Sequence, residues 1–300
     1  MTTPLVCRLV GLLFLLSLFV PLRAQPEMLD GVTLQRDIPY AAPDGGDPLL
    51  LDLYLPSSTK PVPLVMWVHG GGWLNGDKNM ADAVPLTTKL LKAGIAVASI
   101  NYRFSNMAKF PAQLHDCKAA VRWLRANAAK YNIDPDRIAA AGDSAGGQLV
   151  ALLGTTADRP ELEGDEGNPG VSSRVVAVCD FFGPADFADW NKGNPKPQAF
   201  EDANDPIAKL IGGKIADNLD KARAASPITY VDAKSCPFYI LHGDADVVVP
   251  IAQSMMLNAA LKKAGVPSDL YIVHGEGHEF TSPAAFDHAF AFLKHHLLGN

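Results

Sequence analysis

The chain is poor in cysteine, with four in 300 residues. Cys7, Cys117, Cys179 and Cys236 stand too far apart for a CxxC pair, which excludes a thiolate zinc site. Each of the last three lies in or beside an apolar stretch, so buried thiols are expected, with one disulfide as the alternative in an oxidising compartment. Basic runs are lacking too. Lys and Arg number 26 against 32 Asp and Glu, a formal net charge of −6, which argues against nucleic acid as a partner. No GK[ST] follows a glycine-rich stretch, which removes a phosphate-binding loop, and no HExxH occurs among the eight histidines. Neither a metal nor a cofactor is called for. Internal repeats and low-complexity segments are absent, and the length suits one domain with one substantial core.

What is present begins with Arg8, an apolar stretch from Leu9 to Val20, and Pro21-Leu22-Arg23-Ala24. This reads as a signal peptide over residues 1–24, cleaved after Ala24, which leaves 25–300 as the folded domain of a secreted or periplasmic protein. A membrane anchor competes, but the stretch is short of the ~20 apolar residues a spanning helix needs. Thr33–Tyr40 and Leu49–Leu55 then have strand character around a Pro-Asp-Gly-Gly turn, an antiparallel start. Further strands are expected near 64–68, 95–100, 137–141, 174–180, 238–242 and 270–273. Helices are expected near 80–93, 112–130, 145–157, 251–264 and 284–298. Such alternation predicts an α/β fold, a mostly parallel sheet with helices on both faces. Residues 184–232 interrupt it with prolines, asparagines and aromatics. They read either as a lid-like, substrate-facing insertion or as a surface excursion with its own small apolar cluster.

Gly142-Asp143-Ser144-Ala145-Gly146 lies between the apolar run Ile138–Ala141 and the helix-like stretch Leu149–Leu153. A GxSxG sequence between strand and helix is a nucleophile elbow, in which small neighbours tolerate a turn tight enough to hold Ser144 out as a nucleophile. Upstream, Leu64–Val68 leads into His69-Gly70-Gly71-Gly72-Trp73. A glycine run can be a flexible loop or a phosphate cradle; beside an elbow it supplies amides for an oxyanion hole, with Gly71, Gly72 and Ala145 the expected donors. Downstream, Phe238–Leu241 runs into His242-Gly243-Asp244-Ala245-Asp246. Asp246, on the loop beyond the strand, is expected to orient a histidine, while Asp244 ties down the turn. His278, in a glycine-flanked loop after Leu270–Val273, is the expected general base, and His274 is expected to be structural. Serine, then acid, then histidine is the chain order of α/β-hydrolases. For substrate contacts, Trp73 is expected to pack an acyl pocket, and Phe187 and Trp190 to stack on a sugar or an aromatic acid.

Together with Gly76-Asp77-Lys78, Asn101-Tyr102-Arg103, Phe110-Pro111-Ala112-Gln113 and Ile133 to Ile138, these motifs resemble the esterase/lipase group of α/β-hydrolases. Within that group the chain is similar to the carbohydrate-esterase-like members called bifunctional acetylxylan and feruloyl esterases. The resemblance spans most of residues 25–300. Residues 184–232 match only loosely, and Asp143 stands where that subgroup more often has glutamate and hormone-sensitive-lipase-like esterases have aspartate. The resemblance implies an α/β-hydrolase fold and a serine carboxylic-ester hydrolase that needs no cofactor. Ser144, Asp246 and His278 would carry the reaction, and the substrates would be short-chain esters such as acetyl or feruloyl groups on carbohydrates. Amidase or peptidase activity is the alternative on the same residues, and kynurenine-formamidase-like proteins have a similar histidine-glycine loop before a tryptophan. A non-catalytic binding protein of this fold is a further reading, although such proteins usually lose a triad member.

Overall fold

A computed structural model describes residues 29–157, 159–193, 205–279 and 281–299. The expected signal peptide, residues 1–24, lies outside them. The strands are β1 (Val32–Ala41), β2 (Leu49–Pro56), β3 (Val62–Val68), β4 (Ala96–Ile100), β5 (Ile133–Asp143), β6 (Val178–Phe181), β7 (Phe238–Gly243) and β8 (Ser268–Val273). They form one sheet in the order β1-β2-β4-β3-β5-β6-β7-β8. β2 pairs antiparallel with β1 and β4; every other neighbouring pair is parallel.

Both faces of this sheet are covered, so β3 and β4 are buried along their whole length and read as continuous apolar runs. Side chains still alternate. Helices α1 (Pro85–Lys92) and α7 (Pro283–Leu298) cover the face carrying Val65 and Trp67. Helices α2 (Ala112–Ala126), α3 (Ala145–Thr155) and α6 (Ile251–Lys263) cover the face carrying Leu64, Met66 and Val68. Within the insertion, α4 (Pro206–Ile211) and α5 (Leu219–Ala224) are short helices that the sequence reading did not anticipate. Their apolar residues Ile207, Leu210, Ile211 and Ala222 join the main core rather than a cluster of their own.

Several expected elements differ from the structure, among them β5, which starts at Ile133 rather than 137. The helix expected over 80–93 is split into a 3₁₀ turn, Lys78–Ala83, and α1, because Val84 precedes proline and is extended at φ −79°, ψ 119°. The helix expected to reach residue 130 stops at Ala126. The strand expected from 174 starts only at Val178. Just upstream the Arg125 guanidinium binds the carbonyls of Ser172 and Arg174, and the chain joins β5 from Val176, whose N–H donates to Ile138 O at 2.9 Å. Cys117, Cys179 and Cys236 are all buried free thiols, so the disulfide alternative does not apply.

Candidate active site

β5 ends at Asp143 and α3 begins at Ala145, so Ser144 alone makes the turn. Its φ of 53° and ψ of −117° are unusual for a residue with a side chain and cost on the order of 1–3 kcal/mol. Two bonds hold it there. The Ser144 N–H donates to Phe181 O at 2.9 Å, and Ser144 O accepts from Gln148 N–H at 3.1 Å. A Cβ at Gly146 would collide with Val68 O and lie 2.7 Å from His69 O. Only glycine lets α3 start this close to the end of β3.

Because β3 runs parallel to β5 with Val68 opposite Gly142, the loop after β3 emerges beside the elbow. Gly71, Gly72 and Trp73 follow with φ of 104°, 61° and 59°, three successive left-handed residues that curl this loop. Trp73 bears the strain without being glycine. Its carbonyl accepts from Ser105 N–H at 2.7 Å, and its indole Nε1–H donates to Gln148 Oε1 at 3.0 Å. The loop is fixed to the elbow by Gly70 N–H, which donates to Asp143 Oδ1 at 3.0 Å. Burial pushes the Asp143 carboxyl up to about 6 despite that bond. Ala145, the first residue of α3, has an N–H with no intrahelical acceptor. The segments bearing the expected oxyanion donors therefore adjoin.

At the other end of the sheet, β7 and β8 are parallel neighbours, so the loops beyond them also emerge side by side. Ala245 N–H donates to Glu276 O at 3.0 Å, which ties the acid loop to the histidine loop. His278 Nδ1 lies 2.8 Å from Asp246 Oδ2, and His278 Nε2 lies 2.8 Å from Ser144 Oγ. Residues separated by 134 positions thus form one hydrogen-bonded line. The Asp246 side chain is fully buried and that of His278 is 19% exposed. Burial alone would raise the Asp246 carboxyl, but hydrogen bonds and charge from His242 and His278 outweigh it and hold it well below the usual carboxylate range. Asp244 is elsewhere: it pairs with His274 Nδ1 at 2.8 Å and accepts from Gly275 N–H at 2.7 Å.

The model of the family described as BD-FAE matches residues 51–261. The chain belongs to the BD-FAE family of α/β-hydrolase esterases. It is 34% identical over 239 residues to the esterase LipQ of Mycobacterium tuberculosis, an alignment covering 78% of this chain and 54% of that protein. The chain thus spans about half the length of that curated relative. Among solved structures, a truncated carbohydrate esterase from gut microbiota superposes with a TM-score of 0.78 at 35% identity, covering 89% of this chain and 96% of the other. A bifunctional GH43-CE protein of Bacteroides eggerthii gives a TM-score of 0.79 at 37% identity, covering 88% of this chain and 38% of that one.

In this BD-FAE chain the aromatic residues expected to touch substrate are not surface platforms. Phe187 is 0% and Trp190 6% exposed, and their rings stack on each other at 6.3 Å. No face is left for a sugar, so both belong to the core. Trp73, 3% exposed, meets Phe187 edge-on at 5.6 Å and so packs inward from the glycine loop. Other residues were missed by sequence reasoning. Phe182, at φ 45° just past β6, packs its ring 4.6 Å from that of His278. Gln148 is fully buried and bridges the Trp73 indole to Ala225 O, which Gln148 Nε2–H reaches at 2.7 Å. Pro206 approaches the position a Gly72 side chain would take, at 3.5 Å. The polar glutamine inside the apolar α3 was the one local signal available.

Proposed function

We propose that this chain hydrolyses short-chain carboxylic esters by two-step acyl transfer at Ser144, with acetyl or feruloyl groups on carbohydrates as its natural substrates. The observation carrying this reading is the unbroken line from Ser144 Oγ through His278 to Asp246. Ser144 Oγ attacks the ester carbonyl while His278 Nε2 takes its proton. Asp246 holds the ring with Nδ1–H toward itself and stabilises the imidazolium. Amides of Gly71, Gly72 and Ala145 receive the oxyanion, each donor worth on the order of 10²–10³ in kcat. His278 then returns the proton to the leaving alcohol, and a water molecule activated by the same ring releases the acid.

Carbohydrate esters are favoured because the solved relative at 35% identity is named a carbohydrate esterase. Short acyl groups are favoured because Pro206 stands over Gly72, and Trp73 and Phe187 close the space behind the loop. We further propose that residues 1–24 direct secretion and that the 184–232 insertion faces the substrate through α4. The test is a panel of p-nitrophenyl esters from acetate to palmitate with acetylated xylan, methyl ferulate and N-formylkynurenine. Acetate and butyrate esters should be turned over much faster than palmitate, with acetate released from xylan. A kcat/KM rising steadily to palmitate without acetate release would overturn the substrate assignment, and preferred turnover of N-formylkynurenine would make the chain an amidase.

A further inference from the structure

Asp246 is approached by a second imidazole that the reaction above does not use. His242, on β7, is fully buried, and its Nε2 lies 3.1 Å from Asp246 Oδ2 and 2.9 Å from Val249 O. A backbone carbonyl can only accept, so this nitrogen must carry a proton. The same N–H is therefore shared between Val249 O and Asp246 Oδ2. On the far side of the ring, Nδ1 lies 2.7 Å from Ser254 Oγ in the first turn of α6, whose hydroxyl donates to it. The tautomer is set from both sides.

The carboxylate is saturated as a result. Oδ1 accepts from Val248 N–H at 2.7 Å and Val249 N–H at 2.9 Å, while Oδ2 accepts from His278 and His242. With backbone amides on one oxygen and two ring N–H groups on the other, the plane of the carboxylate is fixed from both sides. We infer that His242 is a positioning residue, which fixes the plane of Asp246 and through it the tautomer and tilt of His278. A small misplacement of a working side chain, even one caused away from the reacting atoms, can cost on the order of 10²-fold in rate. This inference rests on the serine-hydrolase reading given above.

The test compares His242→Met, which fills the site without a donor, with His242→Gln, whose amide reaches roughly where Nε2 stands. On an acetate ester, kcat should fall about 10-fold or more in His242→Met with KM changed less than about threefold, and His242→Gln should recover most of it. Any far-downfield proton resonance of His278 Nδ1–H should shift in His242→Met and return in His242→Gln. A merely structural histidine would lower Tm in both variants and leave kcat per folded molecule unchanged. That result would overturn the inference. Should His242→Met not fold, nitrogen-15 spectra of the histidines in the unmodified protein decide: the His242 proton on Nε2 is required, and a proton on Nδ1 alone refutes the inference. Ser144→Ala separates the two levels. If it keeps activity the serine reading itself falls, whereas an inactive Ser144→Ala beside fully active His242 variants removes only the role of His242.

Discussion

Replacing Asp246 by asparagine leaves one acceptor oxygen where the structure uses two. If that oxygen stays with the Val248 and Val249 amides, the new NH₂ faces His278 Nδ1 and His242 Nε2. His242 keeps its Nε2 proton because Val249 O accepts it, so donor meets donor there. His278 can relieve the conflict by moving its proton to Nε2, the nitrogen 2.8 Å from Ser144 Oγ. It can then no longer accept from the serine. If the amide turns over instead, two backbone N–H groups lose their acceptor at about 1–3 kcal/mol each. The first arrangement wins, and kcat should fall by about 10⁴-fold, or roughly 5.5 kcal/mol in the barrier. Asp244→Asn, which alters only the His274 and Gly275 contacts, should leave kcat unchanged. The assay is kcat on p-nitrophenyl acetate, with circular dichroism and Tm to show that each variant is folded. A folded Asp246→Asn within tenfold of the parent, or a larger loss in Asp244→Asn, refutes the assignment of the acid.

Nucleophile and base act as a unit, so Ser144→Ala and His278→Ala should each lower kcat by on the order of 10⁴-fold or more while folding cooperatively; substantial residual turnover in either would point to another nucleophile or base. Gly146→Ala places a methyl against the carbonyls of Val68 and His69. It should cost at least about 2 kcal/mol in denaturant unfolding, and an unchanged midpoint would show that α3 can shift freely. The fully buried Asp180 accepts Gly183 N–H on one oxygen while the other has no partner among the described residues, and burial pushes its carboxyl up to about 6. The folded state therefore holds this proton more tightly than the unfolded chain does, so its contribution to stability is full below pH ~4 and is lost as pH rises toward about 6. The loss is on the order of 3 kcal/mol. Asp180→Asn removes the ionisation, and its Tm relative to the parent should climb between pH 4 and pH 7; a difference that is flat with pH would contradict a buried, ionising Asp180.

Local chemistry accounts for what was legible. The elbow follows from sterics within Gly142 to Gly146, the strands from apolar runs such as Val62–Val68, and the order serine, acid, histidine from the chain alone. The break before Pro85 was legible too, since a residue preceding proline avoids the helical region, yet periodicity ran the expected helix through it. Helices α4 and α5, six residues each, are too short to declare themselves by pattern and exist because Ile207, Leu210 and Ala222 are buried against the main core. Exposed or buried was likewise undecidable for Phe187 and Trp190, whose aromatic character suits a sugar platform and a core equally well until their neighbours are known. The sequence by itself determined which residue types could do the chemistry and on which turns they sit, because those turns are shaped by sterics among adjacent residues. Only the tertiary structure decided that His242 shares the carboxylate of Asp246, and that Ser144 lies 2.8 Å from a histidine 134 residues away. Those distances come from the order of parallel strands, which brings distant strand ends to one edge of the sheet.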